Sequence, residues 1–306
     1  MTEAEKIAAS VRQRLKNLTG TADFQTMLVL YALERLLYRL GQSPYQTKFV
    51  LKGALLFNIW LERPWRSTRD ADLLGFGENT PERIVAIFRE LCNRRVPADG
   101  LEFIADSVTS SIIKPDQEYQ GVRINLLAYL AGTRTRIPVQ VDVGFGDVIT
   151  PSPVSVEFPP LLNFPAPQLL SYPRETVVAE KFQAMVLLGM SNTRLKDFYD
   201  LWVLATDFSF DGAVLGAALQ ATFARRGTEL PQTVEQVVAL TSVFAANPQK
   251  QQAWAGFLRK HQLTGMNLDL MAVVEILQVF LIPVSTAVRR SELFGGNWAG
   301  GRWTSI

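Results

Sequence analysis

Residues 66–74 read Arg-Ser-Thr-Arg-Asp-Ala-Asp-Leu-Leu, which is the pattern of a β-strand that follows a polar turn. Because successive side chains of a strand point to opposite faces, Asp70 and Asp72 share one face, while Ala71 and Leu73 point to the other. Two carboxylates on one face offer hard oxygen ligands, which suit Mg²⁺, with Mn²⁺ as an alternative. The stretch therefore predicts a strand that carries a metal site.

The segment before this strand has the outline of a nucleotide site. Residues 49–53 have the composition of a buried strand that ends in glycine, and residues 54–61 have that of a short helix. Arginine side chains near such a turn can meet phosphate oxygens, and its backbone N–H groups can do the same. The candidate nucleotide-binding residues of this region are Lys52, Gly53, Ala54, Arg66 and Arg69.

A third carboxylate lies in the later segment 137–145, which is also a predicted strand. Alternation puts Asp142 on its polar face, so a position beside the Asp70 strand would bring Asp142 to the metal site. In the alternative interpretation, Asp142 only ends the strand before a glycine turn. Asp147, directly after that turn, is a less favoured candidate.

The composition excludes several kinds of chemistry. The chain of 306 residues has one cysteine, Cys92, and one histidine, His261. An internal disulfide, a cysteine-based zinc site and a pair of histidines are therefore ruled out. The formal net charge of +2 permits a nucleic-acid partner without requiring one. Any catalysis is expected to use carboxylates, lysine, arginine and a hard metal ion.

The hydropathy pattern does not favour a membrane protein. The N-terminal residues 1–17 are charged and amphipathic, unlike a signal peptide. The most apolar segment, residues 271–288, is interrupted by Glu275, Gln278 and Pro283, which favours a core helix over a membrane span. We expect a cytoplasmic protein without a membrane partner.

Periodicity predicts both strands and helices. The expected strands are residues 49–53, 70–75, 101–105, 108–114, 122–130 and 137–145. The expected helices are residues 2–17, 23–40, 81–93, 171–189, 193–202, 233–245, 249–260 and 268–282. Residues 150–167 are rich in proline and are interpreted as a linker.

Two pairs of side chains in these segments admit two interpretations each. Arg35 and Arg39 lie one helical turn apart, either on a solvated face or in a groove for RNA phosphates. Trp298 and Trp303, in the glycine-rich tail, either anchor the tail to the body or form a platform for a base.

Charged residues also stand out in the apolar helices of the second half. Lys181 lies within the helix that starts near Ser171, and it can be a surface lysine with a buried stem. Lys196, Asp197 and Asp200 lie in the next helix, where Lys196 and Asp200 can form an i,i+4 ion pair. When each residue is considered alone, the structural interpretation is favoured over a role in the active site.

Taken together, the motifs resemble a known family. The segments KGALLFNIW and RSTRDADL look like the first motif of DNA-polymerase-β-type nucleotidyltransferases. With YPRETVVAEK and RLKDFYDL, which follow in the expected order, the chain resembles the AbiEii/AbiGii toxins, the MenT-like nucleotidyltransferases of type IV toxin–antitoxin systems. The resemblance covers residues 49–204, and more loosely the helical remainder.

The resemblance implies an α+β fold, with a nucleotidyltransferase-type mixed β-sheet, flanking helices and a C-terminal helical domain. The expected domains are N-terminal helices 1–44 packed on the core, a catalytic domain 45–160, and a helical domain 168–306 that closes over the active site. The resemblance also implies an NTP donor, transfer to a tRNA acceptor end, and a cognate antitoxin protein.

The resemblance also assigns roles to individual residues. The implied metal ligands are Asp70, Asp72 and Asp142. The implied catalytic residues are these three acids together with Lys181 and Asp200. Lys196 and Asp197 are implied to contact the nucleotide. Many members have glycine or hydroxyl residues after the first glycine, where this chain has Ala54 and Leu55, so nucleotide affinity or choice can differ.

Two alternatives to an RNA acceptor stay open. One is transfer to a small molecule or to a protein hydroxyl. The other is a nucleotide-binding module without turnover, which the absence of a hydroxyl at Ala54 would favour. Dependence on magnesium for activity separates an enzyme from such a module.

Overall fold

The computed structural model describes residues 2–18, 23–61, 68–113, 121–263 and 268–305. The chain forms two compact units. The first, which we call the sheet unit, comprises residues 1–147 and 154–172, and the second, the helical unit, comprises residues 148–153 and 173–306. The chain therefore crosses from one unit to the other more than once.

Seven strands and four helices make up the sheet unit. The helices are α1 (Glu3–Leu18), α2 (Phe24–Gly41), α3 (Leu56–Trp60) and α4 (Pro81–Cys92). The strands are β1 (Phe49–Lys52), β2 (Asp70–Gly75), β3 (Leu101–Ile113), β4 (Gly121–Leu130), β5 (Arg136–Phe145), β6 (Val154–Glu157) and β7 (Gln168–Ser171).

The strands form one mixed sheet in the order β3-β4-β5-β2-β1-β7-β6. The pairs β2/β5 and β1/β7 are parallel, and the other neighbours are antiparallel. The predicted α+β class is confirmed. The two strands expected at 101–105 and 108–114 are one strand, β3, whose pairing with β4 shifts between Ile104 and Thr109, and this irregularity explains the break in its pattern.

The proline-rich segment was wrongly predicted to be only a linker. Residues 154–157 form β6, which pairs with β7 at the end of the sheet. An edge strand of four residues tolerates prolines on both sides, because one of its edges needs no hydrogen-bond partner.

The two arginines of α2 are buried, so both interpretations made from the sequence are wrong. Arg35 is 1% exposed and Arg39 is 5% exposed. Arg39 Nη1 lies 2.6 Å from Asp99 Oδ2, and Arg35 donates a hydrogen bond of 2.8 Å to the carbonyl of Pro165. The proline-rich segment returns over α2 and covers a face that the helical period alone indicates as solvated.

Helices cover the face of the sheet opposite the carboxylates. Ala71 of β2, Leu73 of β2 and Val141 of β5 line one apolar cavity together with leucines of α2 and with Phe88 of α4. Because side chains alternate along a strand, Asp70, Asp72 and Asp142 point to the other face.

The helical unit contains six helices and three short strands among its described residues. The helices are α5 (Arg174–Leu188), α6 (Leu195–Asp207), α7 (Gly212–Arg225), α8 (Ser242–Ala245), α9 (Pro248–Lys260) and α10 (Leu270–Arg289). The strands are β8 (Phe210–Asp211), β9 (Gly296–Ala299) and β10 (Arg302–Ser305). The helix predicted at 233–245 is wrong, since two 3₁₀ turns precede the short α8.

Of the described helices, α10 alone is long and apolar enough to cross a membrane by length and composition. It continues through Pro283, beyond the predicted end at residue 282. Leu270, Val273 and Phe280 are buried, and α10 packs against α6 and α7. These contacts place one face of α10 in the core of the helical unit.

The tail is fixed by its tryptophans. Trp298 is completely buried, and its indole N–H donates a hydrogen bond of 2.6 Å to the carbonyl of Ala205. Trp303 donates one of 3.0 Å to the carbonyl of Phe280. The anchor role predicted for both residues is confirmed, while the pairing of β9 with β10 was not anticipated.

Candidate active site

The glycine turn after β1 is shaped by the carboxylate beneath it. Gly53 has a φ of +74°, a conformation that favours glycine. The chain returns as β2, antiparallel to β1, with Lys52 opposite Asp72. A Cβ atom placed on Gly53 would lie 2.9 Å from the Cβ of Asp72 and would overlap its carboxylate. Glycine is therefore required here for close approach as well as for its backbone conformation.

Asp70 and Asp72 are half-buried on one face of β2, as the alternation predicted. The hydroxyl of Thr68 donates a hydrogen bond of 2.5 Å to Asp70 Oδ1, which orients this carboxylate. The strand itself was correctly predicted from its first residue to its last.

The third carboxylate lies where the sequence placed it. β5 runs parallel to β2, with Gln140 beside Asp70 and Asp142 beside Asp72. Asp142 lies within β5, which continues to Phe145, so the interpretation that it only ends the strand is wrong. Three carboxylates therefore share one face of two neighbouring strands.

An arginine from the next strand contacts the third carboxylate. Arg123 of β4 lies opposite Asp142 in the antiparallel register. Its Nε donates a hydrogen bond of 2.8 Å to Oδ1 of Asp142, and its Nη2 donates one of 2.7 Å to Oδ2. The pKa of Arg123 is raised, first by hydrogen bonding to Asp142 and also by the negative charges of Asp70 and Asp72.

On the other side of Asp72, Lys52 is held by a fourth acid. Lys52 Nζ lies 3.0 Å from Asp147 Oδ2 and 5.2 Å from the ring centroid of the buried Tyr172. Gly146, at a φ of +79°, precedes Asp147. One row across β4, β5, β2 and β1 thus reads Arg123, Asp142, Asp72 and Lys52, with a cation at each end.

Three of the charged residues predicted in the second half form a cluster within the helical unit. Lys181 Nζ of α5 lies 2.6 Å from Asp197 Oδ1 and 2.9 Å from Asp200 Oδ2, both in α6. The two aspartate side chains are 1% exposed and that of Lys181 is 12% exposed. Lys181 is therefore not a surface lysine.

Lys196 does not share this environment. It is exposed, while its neighbour Asp197 is buried and also lies 2.7 Å from Arg194 Nε. Asp200 pairs with Lys181 of the other helix, so the ion pair expected between Lys196 and Asp200 is replaced by one between α5 and α6.

Comparison with known proteins identifies the family. The profile of the nucleotidyl transferase AbiEii toxin family, type IV toxin–antitoxin system, matches residues 35–276. The protein belongs to the AbiEii family. The resemblance drawn from the three motifs is confirmed, and the chain is a nucleotidyltransferase of a toxin family whose systems include a cognate antitoxin.

Comparison with solved structures matches this AbiEii-family chain to two proteins. One is JHP933 from Helicobacter pylori, and the other is an H. pylori protein described as a candidate nucleotidyltransferase. Both are 13% identical to this chain with a TM-score of 0.43, and each alignment covers 84% of it. The matches cover 88% and 91% of the H. pylori chains, respectively. No match was found among curated proteins.

The donor set of the AbiEii-family site fits a divalent cation that arrives with a nucleotide. Mg²⁺ is usually bound through one or two carboxylates together with substrate phosphates. Asp70 and Asp72 supply two carboxylates on one face. Within the described ranges, no group of three acidic, histidine or cysteine side chains forms a ready metal cluster. Asp142 lies beside Asp72, but Arg123 occupies both of its oxygens.

Two arginines, Arg66 and Arg69, were predicted from the sequence to contact phosphate. Arg66 lies outside the described residues. Arg69 Nη2 lies 2.8 Å from Thr26 Oγ1 and 3.2 Å from Asp23 Oδ2, at the start of α2. Arg69 therefore holds the N-terminus of α2, and the geometry offers no support for a phosphate contact by its side chain.

Sequence reasoning missed Arg123 and Tyr172, and it did not anticipate the contact of Asp147 with Lys52. Arg123 is the one charged residue of the predicted strand 122–130, and that pattern was the available signal. Asp147 follows a glycine that can take a positive φ, which is the signal for a chain that turns back on itself. Nothing local indicated the contact between Lys52 and Tyr172.

Replacing Gly53 by alanine is expected to lower nucleotidyl transfer about a hundredfold, because displacing a catalytic group by about 1 Å can cost that much. The new Cβ overlaps the Asp72 carboxylate, so either the turn or the acid must move. Steady-state transfer rates of the purified Gly53→Ala protein measure the effect.

Gly227→Ala is the matched control for this prediction. Gly227 has a φ of +57°, and no heavy atom of the described structure lies within 4 Å of a Cβ built there. Both variants carry a backbone strain of about 1 kcal/mol. Equal rates for the two variants would show that the contact between Gly53 and Asp72 has no catalytic consequence.

Proposed function

We propose that this AbiEii-family protein transfers a nucleoside monophosphate from an NTP to an RNA acceptor, the 3′ end of tRNA, with Mg²⁺ as the metal ion. The observation that carries the proposal is the pair Asp70 and Asp72 on one face of β2, with Asp142 beside Asp72. A bound divalent cation would polarise the transferring phosphoryl group and lower the pKa of the attacking hydroxyl.

The residues of the sheet unit have the following proposed roles. Asp70 and Asp72 hold the cation, and Asp142 completes the acid cluster. The backbone at Gly53 and Ala54 lies next to Asp72, where it can approach a phosphate closely because Gly53 has no side chain. Lys52 offsets part of the negative charge of the acids, which a triphosphate must approach.

The helical unit contributes residues whose roles stay predictions. Lys181, Asp197 and Asp200 form a compact ion cluster, and the exposed Lys196 carries an accessible positive charge. Two of the three N–H donors of the Lys181 ammonium face these carboxylates, which orients the side chain. The cytoplasm, where NTPs and tRNA are available, is the proposed location.

The test is transfer of label from nucleotide to tRNA. The purified protein is incubated with total tRNA, Mg²⁺ and each α-³²P-labelled NTP in turn, and the RNA is separated on a denaturing gel. We expect label on tRNA with at least one NTP, lost when EDTA removes the metal. Pretreatment of the tRNA with periodate, which destroys the terminal 2′,3′-diol, should also remove it.

Other outcomes redirect or refute the proposal. Label on a protein band or on a small molecule, with unlabelled tRNA, would replace RNA by a different acceptor. NTP binding in calorimetry without any transfer would favour a binding module. Label that persists in EDTA would contradict the proposed metal dependence.

A further inference from the structure

The position of Arg123 suggests more than a structural ion pair. Its guanidinium makes a two-pronged contact with Asp142, in which each oxygen of the carboxylate accepts one hydrogen bond. Such fork-to-fork contacts are strong and geometrically specific. Gln140 Nε2 also lies 3.4 Å from Oδ1 of Asp142, so this oxygen has a second donor nearby.

Arg123 is also one of two cations in the row of charged residues that contains Asp142 and Asp72. It lies in the same row of the sheet as Asp142 and Asp72, and the negative charges of Asp70 and Asp72 both favour its charged form. Arg123 is half-buried on the face that carries the carboxylates, which leaves it accessible to a bound nucleotide. A divalent cation that uses Asp142 would therefore compete with the guanidinium for the same oxygen lone pairs.

A nucleotide would remove this competition. The planar guanidinium matches the oxygens of a phosphate as well as those of a carboxylate. An NTP bound near Asp70 and Asp72 would offer Arg123 such oxygens, and Asp142 would then be released to the metal. The positive charge would at the same time offset the repulsion between three acids and a triphosphate.

We propose that Arg123 is a positioning residue that couples metal binding to nucleotide binding, because it holds Asp142 until a phosphate replaces that carboxylate. The site then takes a divalent cation weakly by itself and tightly as a metal–nucleotide complex. This inference rests on the proposed function, and it adds to that function the way in which Arg123 controls the access of the metal ion to Asp142.

The test measures metal binding in the absence of catalysis. Free Mn²⁺ is quantified by electron paramagnetic resonance during titration of the full-length protein, with and without a non-hydrolysable NTP analogue, and the Mn²⁺ that the analogue binds in a protein-free titration is subtracted. Arg123→Gln removes one positive charge near the cation, and we expect it to bind Mn²⁺ alone about tenfold more tightly than the wild type. The gain in Mn²⁺ affinity on adding the analogue should be smaller in this variant.

Two further variants separate charge from geometry. Arg123→Lys keeps the charge but lacks the fork that holds both oxygens of Asp142, so its Mn²⁺ affinity without nucleotide should lie between those of the wild type and Arg123→Gln, while transfer falls. Arg136→Gln is the matched control, because Arg136 is an exposed arginine at the start of β5. Its Mn²⁺ affinity should not change.

Several outcomes would overturn the inference. One is an Arg123→Gln protein that is folded by circular dichroism and binds Mn²⁺ no more tightly than the wild type. Should that variant not fold, the wild type still decides: equal Mn²⁺ affinity with and without the analogue would contradict the coupling. Failure of the proposed function is distinguishable, since it appears as absent transfer by the wild type while the Mn²⁺ titrations still show the competition.

Discussion

Asp72→Asn is expected to lower nucleotidyl transfer at least about a thousandfold, since losing about 4 kcal/mol of metal-borne stabilisation of the transition state corresponds to that factor. Asp72 lies between Lys52 and Asp142 in the row of charged residues that crosses the sheet. The asparagine has the same shape but lacks the charge that holds a cation. Rates are measured with saturating NTP and Mg²⁺.

The control for Asp72→Asn is Asp106→Asn, which removes an exposed carboxylate from β3 of the same sheet. This variant should keep wild-type activity. Both proteins should show unchanged circular dichroism, because neither substitution alters the apolar core. An Asp72→Asn protein that retains more than a tenth of the activity would remove Asp72 from the catalytic acids.

Lys181→Met is expected to destabilise the helical unit by about 3–5 kcal/mol, the usual cost of leaving buried charges without their partner. Asp197 and Asp200 are 1% exposed, and both lie within 3 Å of the Lys181 ammonium. Without it, both carboxylates lose a cation in a site that water barely reaches, while Asp197 keeps its contact with Arg194. Urea unfolding followed by tryptophan fluorescence measures the change.

Lys196→Met is the matched control, because it removes the same charge from an exposed position of the neighbouring helix and should leave stability nearly unchanged. Adding Asp200→Asn to Lys181→Met should recover part of the lost stability, since one of the two negative charges that lost the Lys181 ammonium disappears. Loss of transfer by Lys181→Met at wild-type stability would contradict the structural role and favour a phosphate contact instead.

The features that sequence predicted best are those set by local periodicity. Asp70 and Asp72 follow from the two-residue repeat of a strand, and the same repeat put Asp142 on a polar face. The position of Asp142 beside Asp72 needed one further assumption, that the two strands are neighbours. That assumption is correct because β2 and β5 pair in parallel register.

The features that sequence could not predict depend on contacts between distant segments. Arg123 meets Asp142 only because β4 and β5 pair in one particular register. Arg35 is buried because a segment 130 residues later in the chain returns to accept its hydrogen bond. Helical periodicity describes one helix at a time, so it indicated a solvated face for Arg35 and a pair within α6 for Asp200.

The path of the chain between its two units restricts how such a protein can be divided. Residues 148–153 belong to the helical unit although they lie between two parts of the sheet unit. Thr176 of α5 fixes them there, since its hydroxyl donates to the carbonyl of Thr150 and accepts from its N–H. Cleavage at any single peptide bond therefore leaves at least one fragment that carries pieces of both units. Recombination at one crossover point could not exchange the two halves as intact modules, so we expect them to have been inherited together.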